Sequence, residues 1–159
     1  MSWTPPTAGQ RLAILRRART IAVVGASAKP ARASYFVLTY LLSSSADYEV
    51  WPVTPNESEI LGAQCYPSLA ELPGPPDLVD VFRRVDQLPA VAQEAVDAGA
   101  GAFWMQLGLH SDAAVEIAVA GGLDVVSNRC VKIEHARFHG GLHLAGFDTG
   151  VISSRRTRG

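Results

Sequence analysis

The sequence predicts an α/β protein with one doubly wound parallel sheet in a single domain. Short apolar runs, with the length of buried strands, alternate along the chain with longer segments of helical periodicity. Each parallel pair of strands needs such a crossover, so the alternation favours a parallel sheet with helices on both faces. The 159 residues are enough for one domain with a core and too few for two ordinary ones.

The most informative of these strand-to-helix transitions is the segment I-A-V-V-G-A-S-A-K-P at 21–30. Residues 21–24 are typical of a buried strand, Gly25 allows a sharp turn, and helical periodicity returns from about Arg32. This order directs the free N–H groups of a helix N-terminus, and the positive end of its dipole, at the carboxyl edge of the strand. We expect an anionic ligand there.

The remaining elements follow in chain order. Residues 1–8 are predicted to be a loose N-terminal arm, and residues 9–19 a helix that covers the first strand. Further strands are predicted at 48–53, 78–82, 102–106 and 123–126, and further helices at 88–98 and 111–120. Beyond Lys132 the periodicity fades, and the glycines at 140, 141, 146 and 150 predict a loop-rich C-terminal segment over 138–159.

Composition excludes several classes of function. The formal net charge is −1 and the basic residues form no stripe, so no nucleic-acid partner is expected. No apolar run is long enough to span a membrane, and the N-terminus lacks the pattern of a signal peptide, so no membrane partner and a cytoplasmic location are expected. Cys65 and Cys130 are not in a C-x-x-C arrangement and predict free thiols.

In open parallel sheets, ligands bind beyond the carboxyl ends of the strands, where the strand order reverses. The residues predicted at those ends combine backbone amides with the donors Ser27, Lys29 and Arg32 and a further cation, Arg83, whose neighbour Arg84 must face away. They predict a phosphate-rich ligand with a flat ring. The candidate ligand-binding residues are Gly25, Ala26, Ser27, Lys29, Arg32, Val53, Thr54, Pro55, Phe82, Arg83, Gln106 and Gly108.

We first consider a nicotinamide dinucleotide as the ligand. NAD sites have the fingerprint G-x-G-x-x-G and an acidic residue at the end of the second strand. Here the turn G-A-S-A-K-P has one glycine, and the second strand ends in V-T-P without a carboxylate. Both requirements fail for NAD. NADP stays open, because Lys29 or Arg32 offers a partner for its 2′-phosphate.

Five ordered motifs resemble the stand-alone bacterial CoA-binding proteins. The motifs are V-V-G-A-S-A-K-P-A-R at 23–32, P-V-T-P at 52–55, V-D-V-F-R at 79–83, W-M-Q-L-G at 104–108 and N-R-C-V-K-I-E-H at 128–135. The series is similar, more distantly, to the N-terminal CoA-binding domain of the succinyl-CoA synthetase alpha subunit. This resemblance implies a Rossmann-like domain over residues 1–137 with coenzyme A as its small-molecule ligand.

The resemblance also implies a role for each candidate residue. The glycine turn with Lys29 and Arg32 would hold the phosphates, and the P-V-T-P loop would border the adenosine. Phe82, Arg83, Gln106 and Gly108 would line the rest of the ligand. The family commonly has asparagine where Thr54 stands, so an amide hydrogen bond is expected to be lost. The chemistry of CoA agrees, because each charge-assisted hydrogen bond to its phosphates contributes roughly 1.5 to 3 kcal/mol.

The leading hypothesis is a protein that binds CoA or an acyl-CoA without catalysing a reaction, because the resembled synthetase has its ligase machinery in further domains. Two enzymatic alternatives stay open. One is an NADP-dependent reductase, and the other is an acyl-CoA transferase or hydrolase with Cys130 as nucleophile, although an unreactive thiol is the commoner case. A partner-binding module and a homodimer also stay open.

For Asp80 and for a set of three histidines, the sequence favours a structural role over a functional one. Asp80 lies in the middle of a predicted strand, where a buried acid needs a partner, so we expect a structural hydrogen bond. His135, His139 and His143 are spaced by four residues, which on a helix would align three imidazoles. Gly140 interrupts such a helix, and no metal site is expected.

Overall fold

The computed structural model describes residues 3–43 and 48–139. The strands of the main sheet are β1 (Thr20–Val24), β2 (Glu49–Val53), β5 (Leu78–Val81), β6 (Ala102–Met105) and β7 (Asp124–Val126), and β3 (Glu59–Ile60) and β4 (Ala63–Gln64) form a small hairpin. The helices are α1 (Ala8–Arg17), α2 (Ala33–Ser43), α3 (Leu88–Asp97), α4 (Asp112–Ala120) and α5 (Val131–His139), with 3₁₀ turns at Leu69–Glu71 and Val85–Gln87.

The main sheet is parallel throughout and has the strand order β2-β1-β5-β6-β7. From β1 the chain first moves outward to β2, then returns to the other side of β1 and continues outward to β7. The strand order therefore reverses between β1 and β5, where Val24 is level with Val81. This topology confirms the predicted single domain with a doubly wound, Rossmann-like parallel sheet.

The two faces of the sheet bury different helices. On β1, Ile21 and Val23 belong to one apolar cluster, together with residues of α1, α2 and α5. Ala22 and Val24 belong to the other cluster, together with residues of α3 and α4. Because side chains alternate along a strand, the continuous apolar sequence of β1 follows from coverage on both faces.

The fading periodicity after Lys132 does not mark the end of regular structure, because α5 continues to His139. The pattern fades because this helix buries two polar residues, Glu134 and His135. Arg11 of α1 donates from Nε to Glu134 Oε1 at 2.6 Å, and the Tyr40 hydroxyl of α2 lies 2.7 Å from His135 Nδ1. The rest of the predicted C-terminal loop segment, residues 140–159, lies outside the described residues.

The described part of the N-terminal arm, residues 3–7, has no regular secondary structure but makes specific contacts. The half-buried ring of Trp3 stacks on His110 with a centroid separation of 6.3 Å. Arg11 Nη1 donates to the Pro6 carbonyl oxygen at 3.0 Å. Thr7 and Gln10 form a capping box at the start of α1. The stacking of Trp3 on His110 joins the arm to a residue distant in sequence, which a local pattern does not reveal.

No helix in the described ranges is both long enough and apolar enough to cross a membrane.

Candidate functional site

The sharp turn after β1 depends on Gly25. Its φ of +84° lies in the left-handed region, and a Cβ at this position would stand 2.2 Å from the carbonyl oxygen of Phe82. A residue with a side chain therefore does not fit. The N–H groups of Gly25 and Ala26 both donate to the Val53 carbonyl oxygen, at 3.1 and 3.3 Å. These two amides join the turn to the end of β2 and are not free to bind a ligand.

The loop between this turn and α2 has N–H groups that are not used within the protein. Ser27 Oγ accepts the Lys29 N–H at 3.0 Å, and the Arg32 N–H donates to the Lys29 carbonyl oxygen at 3.0 Å. No partner among the described residues accepts from the N–H groups of Ser27, Ala28, Ala31, Ala33 and Ser34. The last two open α2, where helical N–H groups lack intrahelical acceptors. The loop can therefore donate hydrogen bonds to an anion.

Lys29 and Arg32 add positive charge to this loop. Both side chains are exposed, and neither forms an ion pair with a residue of the described chain. Since no internal carboxylate neutralises them, both charges are available to an anionic ligand.

The end of β2 borders the glycine turn. Thr54 is buried, its N–H donates to the Tyr66 carbonyl oxygen at 2.9 Å, and its Oγ1 accepts the Asn56 N–H at 3.2 Å. Pro55 is exposed beside it. Threonine thus offers no amide donor here, and its hydroxyl oxygen already holds the backbone of the following loop.

The end of β5 lies against the other side of the turn. The Phe82 N–H donates to the Val24 carbonyl oxygen at 2.8 Å, and a Cβ on Gly25 would be 3.2 Å from Arg83 Cδ. Arg83 is half-buried and donates from Nε to Gln87 Oε1 at 2.7 Å. Arg84 is exposed and pairs with a neighbouring acid. Of the two adjacent arginines, Arg83 alone lies beside the glycine turn.

The end of β6 is further along the same edge. Gln106 is buried, and its Oε1 accepts the Val131 N–H at 3.0 Å, so this side chain holds the N-terminus of α5. Gly108 has a φ of +89°, and its N–H donates to Asn128 Oδ1 at 2.6 Å. Polar groups of both candidates are therefore already bonded within the protein.

The structure brings the candidates of β1, β2 and β5 together around the glycine turn. Direct contacts link Gly25 and Ala26 to Val53, and Gly25 to Phe82 and Arg83. The candidates at the end of β6 follow along the sheet, because β6 pairs with β5. All the strands of the parallel sheet have their carboxyl ends at this edge. Candidate residues chosen because they follow a strand therefore lie at the same edge although they are distant in sequence.

A cavity of about 510 Å³ lies at the ends of β6 and β7, and the set of candidate residues predicted from the sequence did not include it. Its wall combines the N-terminal arm with the loops after both strands. The lining residues are Trp3, Pro5, Pro6, Arg11, Leu107, His110, Val126, Ser127, Asn128 and Arg129. Residues 127–129 follow β7, so they are identified by the rule that ligands bind beyond strand ends. No local sequence pattern indicates that the N-terminal arm forms part of the cavity wall.

Ser127 and His110, which line this cavity, form a hydrogen-bonded chain with Asp112, which does not line it. Ser127 Oγ is 2.6 Å from His110 Nδ1, and His110 Nε2 is 2.8 Å from Asp112 Oδ1. In serine hydrolases the corresponding carboxylate is buried. Here the Asp112 side chain is 94% exposed, so water competes for its oxygens. The chain fixes the orientation of the imidazole ring.

Asp80 is fully buried in the middle of β5, and the expected hydrogen bond is absent, since neither carboxylate oxygen has a partner among the described residues. Burial raises the pKa of Asp80 well above its ordinary value. Its strand neighbours Val23 and Trp104 are level with it in the sheet. Asp80 therefore lies within the core of the sheet.

The two thiols are free and separate. Cys65 is buried, and burial raises its pKa, with Glu57 and Glu59 adding to the shift. Cys130 is half-buried directly before α5, and its carbonyl oxygen accepts the Glu134 N–H at 2.9 Å. Within 3–43 and 48–139, no group of three or more histidine, cysteine or acidic residues is arranged to hold a metal ion.

A parallel sheet with a glycine turn where its strand order reverses defines a Rossmann-like α/β protein. The chain belongs to the CoA binding domain family, whose family model matches residues 19–136. This match includes the ends of every strand of the main sheet.

Individual relatives agree with this family. The chain is 40% identical over 131 residues to the uncharacterized protein YneT of Bacillus subtilis (strain 168), covering 82% of this chain and 96% of that protein. A solved structure, described as a hypothetical protein from Pyrococcus horikoshii OT3, has a TM-score of 0.80 and 37% identity and covers 88% of this chain and 100% of that one.

A part of a larger enzyme is also similar. The ADP-forming acetate-CoA ligase II of Archaeoglobus fulgidus is 27% identical over 81 residues, which cover 51% of this chain and 12% of the ligase. The similarity is therefore confined to a small part of that ligase.

Proposed function

We propose that this protein binds CoA or a CoA thioester at the carboxyl edge of its sheet and catalyses no reaction of its own. The proposal is supported above all by the unused donors after the glycine turn. There the N–H groups of Ser27, Ala28, Ala31, Ala33 and Ser34 and the cations Lys29 and Arg32 have no partner among the described residues. Phosphates are the ligand groups that such a loop and helix N-terminus attract. Membership of the CoA binding domain family supports CoA as their source.

Other candidate residues border the glycine turn along the same edge, where the remaining parts of the ligand would lie. The exposed Pro55 and the buried Thr54 border the turn on the β2 side, where the adenosine would lie. Phe82 and Arg83 border it on the β5 side. The absence of a carboxylate at residues 53–55 agrees with the ribose of CoA, whose 2′-hydroxyl needs no acidic partner, unlike the ribose hydroxyls of NAD.

A binding role without catalysis is supported by the polar groups near the edge. The hydrogen-bonded chain of Ser127, His110 and Asp112 ends in an exposed carboxylate, which makes it a weak activator of a nucleophile. We also propose that the protein is cytoplasmic, where Cys65 and Cys130 would remain reduced thiols. A homodimer stays a prediction, and light scattering from the purified protein measures it.

Calorimetric titration of the purified protein with CoA, dephospho-CoA and NADPH tests the proposed ligand. We expect CoA to bind at least about tenfold more tightly than dephospho-CoA, because the latter lacks the 3′-phosphate and its charge-assisted hydrogen bonds. We expect no comparable signal from NADPH. Tight NADPH binding without a CoA signal would contradict the proposal and favour a reductase.

A separate assay tests the absence of catalysis. The protein is incubated with acetyl-CoA, and the released thiol is followed with a chromogenic reagent. We expect no release above the buffer rate. Turnover that is abolished in Cys130→Ser would identify an acyl-CoA hydrolase or transferase instead.

A further inference from the structure

The cavity at the ends of β6 and β7 adjoins the proposed CoA site. Leu107 lines the cavity and lies in sequence between the candidate ligand-binding residues Gln106 and Gly108. The Gly108 N–H also donates to Oδ1 of Asn128, which lines the cavity, at 2.6 Å. A ligand that follows the strand ends from β1 through β5 therefore reaches the cavity next.

The wall of the cavity suits a mixed ligand. Trp3, Pro6, Leu107 and Val126 provide apolar surface. The stacked rings of Trp3 and His110 fix the arm that forms the outer side. A volume of about 510 Å³ falls within the range of small-molecule sites, which spans roughly 300 to 1,000 Å³.

The polar part of the lining is electropositive. Arg11 is neutralised by its buried ion pair with Glu134. Arg129 has an exposed side chain with no hydrogen-bond or ion-pair partner in the described part of the chain. None of the residues that line the cavity is acidic. The guanidinium of Arg129 is therefore free to bind an anionic group.

Asn128 supplies a second donor. It adopts a positive φ of 59°, and its Oδ1 is occupied by the Gly108 N–H. Its Nδ2 group is therefore left to donate to a ligand. A planar guanidinium and an amide N–H₂ on consecutive residues match the two oxygens of a carboxylate.

We propose that this cavity receives the acyl group of a CoA thioester and favours an acyl chain that ends in a carboxylate, bound by Arg129 and Asn128. This inference rests on the proposed CoA-binding function. The acyl chain contacts the apolar wall, and its terminal carboxylate accepts from the two donors. A neutral acyl chain of equal length makes the same apolar contacts but has no carboxylate to accept from the two donors.

The test compares two five-carbon thioesters, glutaryl-CoA and valeryl-CoA, by calorimetric titration of the full chain. We expect glutaryl-CoA to bind about tenfold to a hundredfold more tightly. Arg129→Gln should abolish this preference and leave the affinity for free CoA within about twofold. Arg16→Gln is the matched control, because Arg16 is an exposed arginine of α1 at the other edge of the sheet, and we expect the preference to persist.

The outcomes separate this inference from the proposed function. If free CoA binds and the two thioesters bind equally, the inference is overturned and the CoA site remains. If the preference exists but survives in Arg129→Gln, the assignment of Arg129 is overturned. If neither CoA nor the thioesters bind, both the proposed function and the inference are wrong. Circular dichroism of each variant checks that the fold is intact.

Discussion

The backbone of Phe82 occupies the space that a side chain at Gly25 would need, with its carbonyl oxygen 2.2 Å from the position of a Cβ there. The Phe82 N–H donates to the Val24 carbonyl oxygen at 2.8 Å, so the end of β5 is bonded to the end of β1. The glycine turn therefore packs directly against the end of β5, at the point where the strand order reverses. The turn can lie close to β5 only because residue 25 has no side chain.

We predict that Gly25→Ala destabilises the protein by about 2 to 5 kcal/mol. The left-handed conformation costs an alanine roughly 1 to 2 kcal/mol, and forcing its methyl group against rigid backbone costs roughly 1 to 3 kcal/mol more. The φ of +84° and the contact with Phe82 are the structural reasons. Denaturant unfolding followed by circular dichroism measures the free energy of unfolding.

Gly62→Ala is the matched control for this substitution. Gly62 has the same φ of +84°, but nothing lies within 4 Å of a Cβ at this position. Its alanine variant should lose only the conformational part, about 1 to 2 kcal/mol. Equal losses in the two variants would show that the contact with Phe82 contributes nothing.

We predict that Lys29→Ala weakens CoA binding by about 1 to 3 kcal/mol, which is roughly a five- to 150-fold increase in Kd. Lys29 is exposed and has no ion-pair partner within the described chain, so its charge is free for a phosphate. Calorimetric titration measures the change, with Arg16→Ala as a control for the loss of one positive charge. An unchanged affinity would remove Lys29 from the site.

The strands and the glycine turn could be predicted because their signals are local. The apolar sequence of residues 21–24 follows from burial on both faces, and Gly25 follows from a backbone geometry that excludes a side chain. The rule about strand ends then identified the edge at which Val53, Phe82 and Arg83 contact the turn. Whether these residues bind CoA stays a prediction.

The features that the sequence did not predict depend on partners far away in the chain. α5 is held by a buried pair between Arg11 and Glu134, which are 123 residues apart. One wall of the cavity is formed by Trp3, whose ring stacks on His110. Asp80 was expected to have a hydrogen bond because buried acids usually do, and the fold instead leaves it in an apolar layer of the sheet. Local periodicity contains no information about such contacts.

We predict that Asp80→Asn makes the stability less dependent on pH. Burial raises the pKa of Asp80 in the folded protein above the ordinary value of about 3.9 in the unfolded chain. The contribution of this group to stability is therefore fully present below pH 3.9 and is lost as the pH rises towards the folded pKa. Relative to the wild type, the variant should gain up to ~1.4 kcal/mol per pH unit across this range.

Urea unfolding of both proteins at pH 4.5, 6 and 7.5 measures this difference. Arg11, Tyr40, Glu134 and His135 lie on the helices that cover the same face of the sheet, and both proteins contain them, so the comparison isolates residue 80. Asp86→Asn, at an exposed site, is the control for the replacement of a carboxylate by an amide. A flat difference for Asp80→Asn would mean that its carboxyl group titrates normally.

We predict that Glu134→Gln destabilises the protein by about 3 to 5 kcal/mol, because it leaves the guanidinium of Arg11 buried without its counter-charge. The two side chains are 3% and 7% exposed, and Nε of Arg11 donates to Oε1 of Glu134 at 2.6 Å. The double variant Arg11→Met, Glu134→Leu should recover most of this loss, because no buried charge then remains. Denaturant unfolding of the three proteins gives the comparison.

The exposed ion pair between Arg17 and Asp124 is the matched control for this prediction. Its Nη2 and Oδ2 atoms are 2.5 Å apart, so its geometry is as close as that of the buried pair, but its side chains are 59% and 56% exposed. Asp124→Asn should therefore cost at most about 1 kcal/mol, because water solvates the charge that is left behind. If Glu134→Gln costs no more than Asp124→Asn, burial of the Arg11 and Glu134 pair does not hold α5 against α1, and its apolar contacts alone must do so.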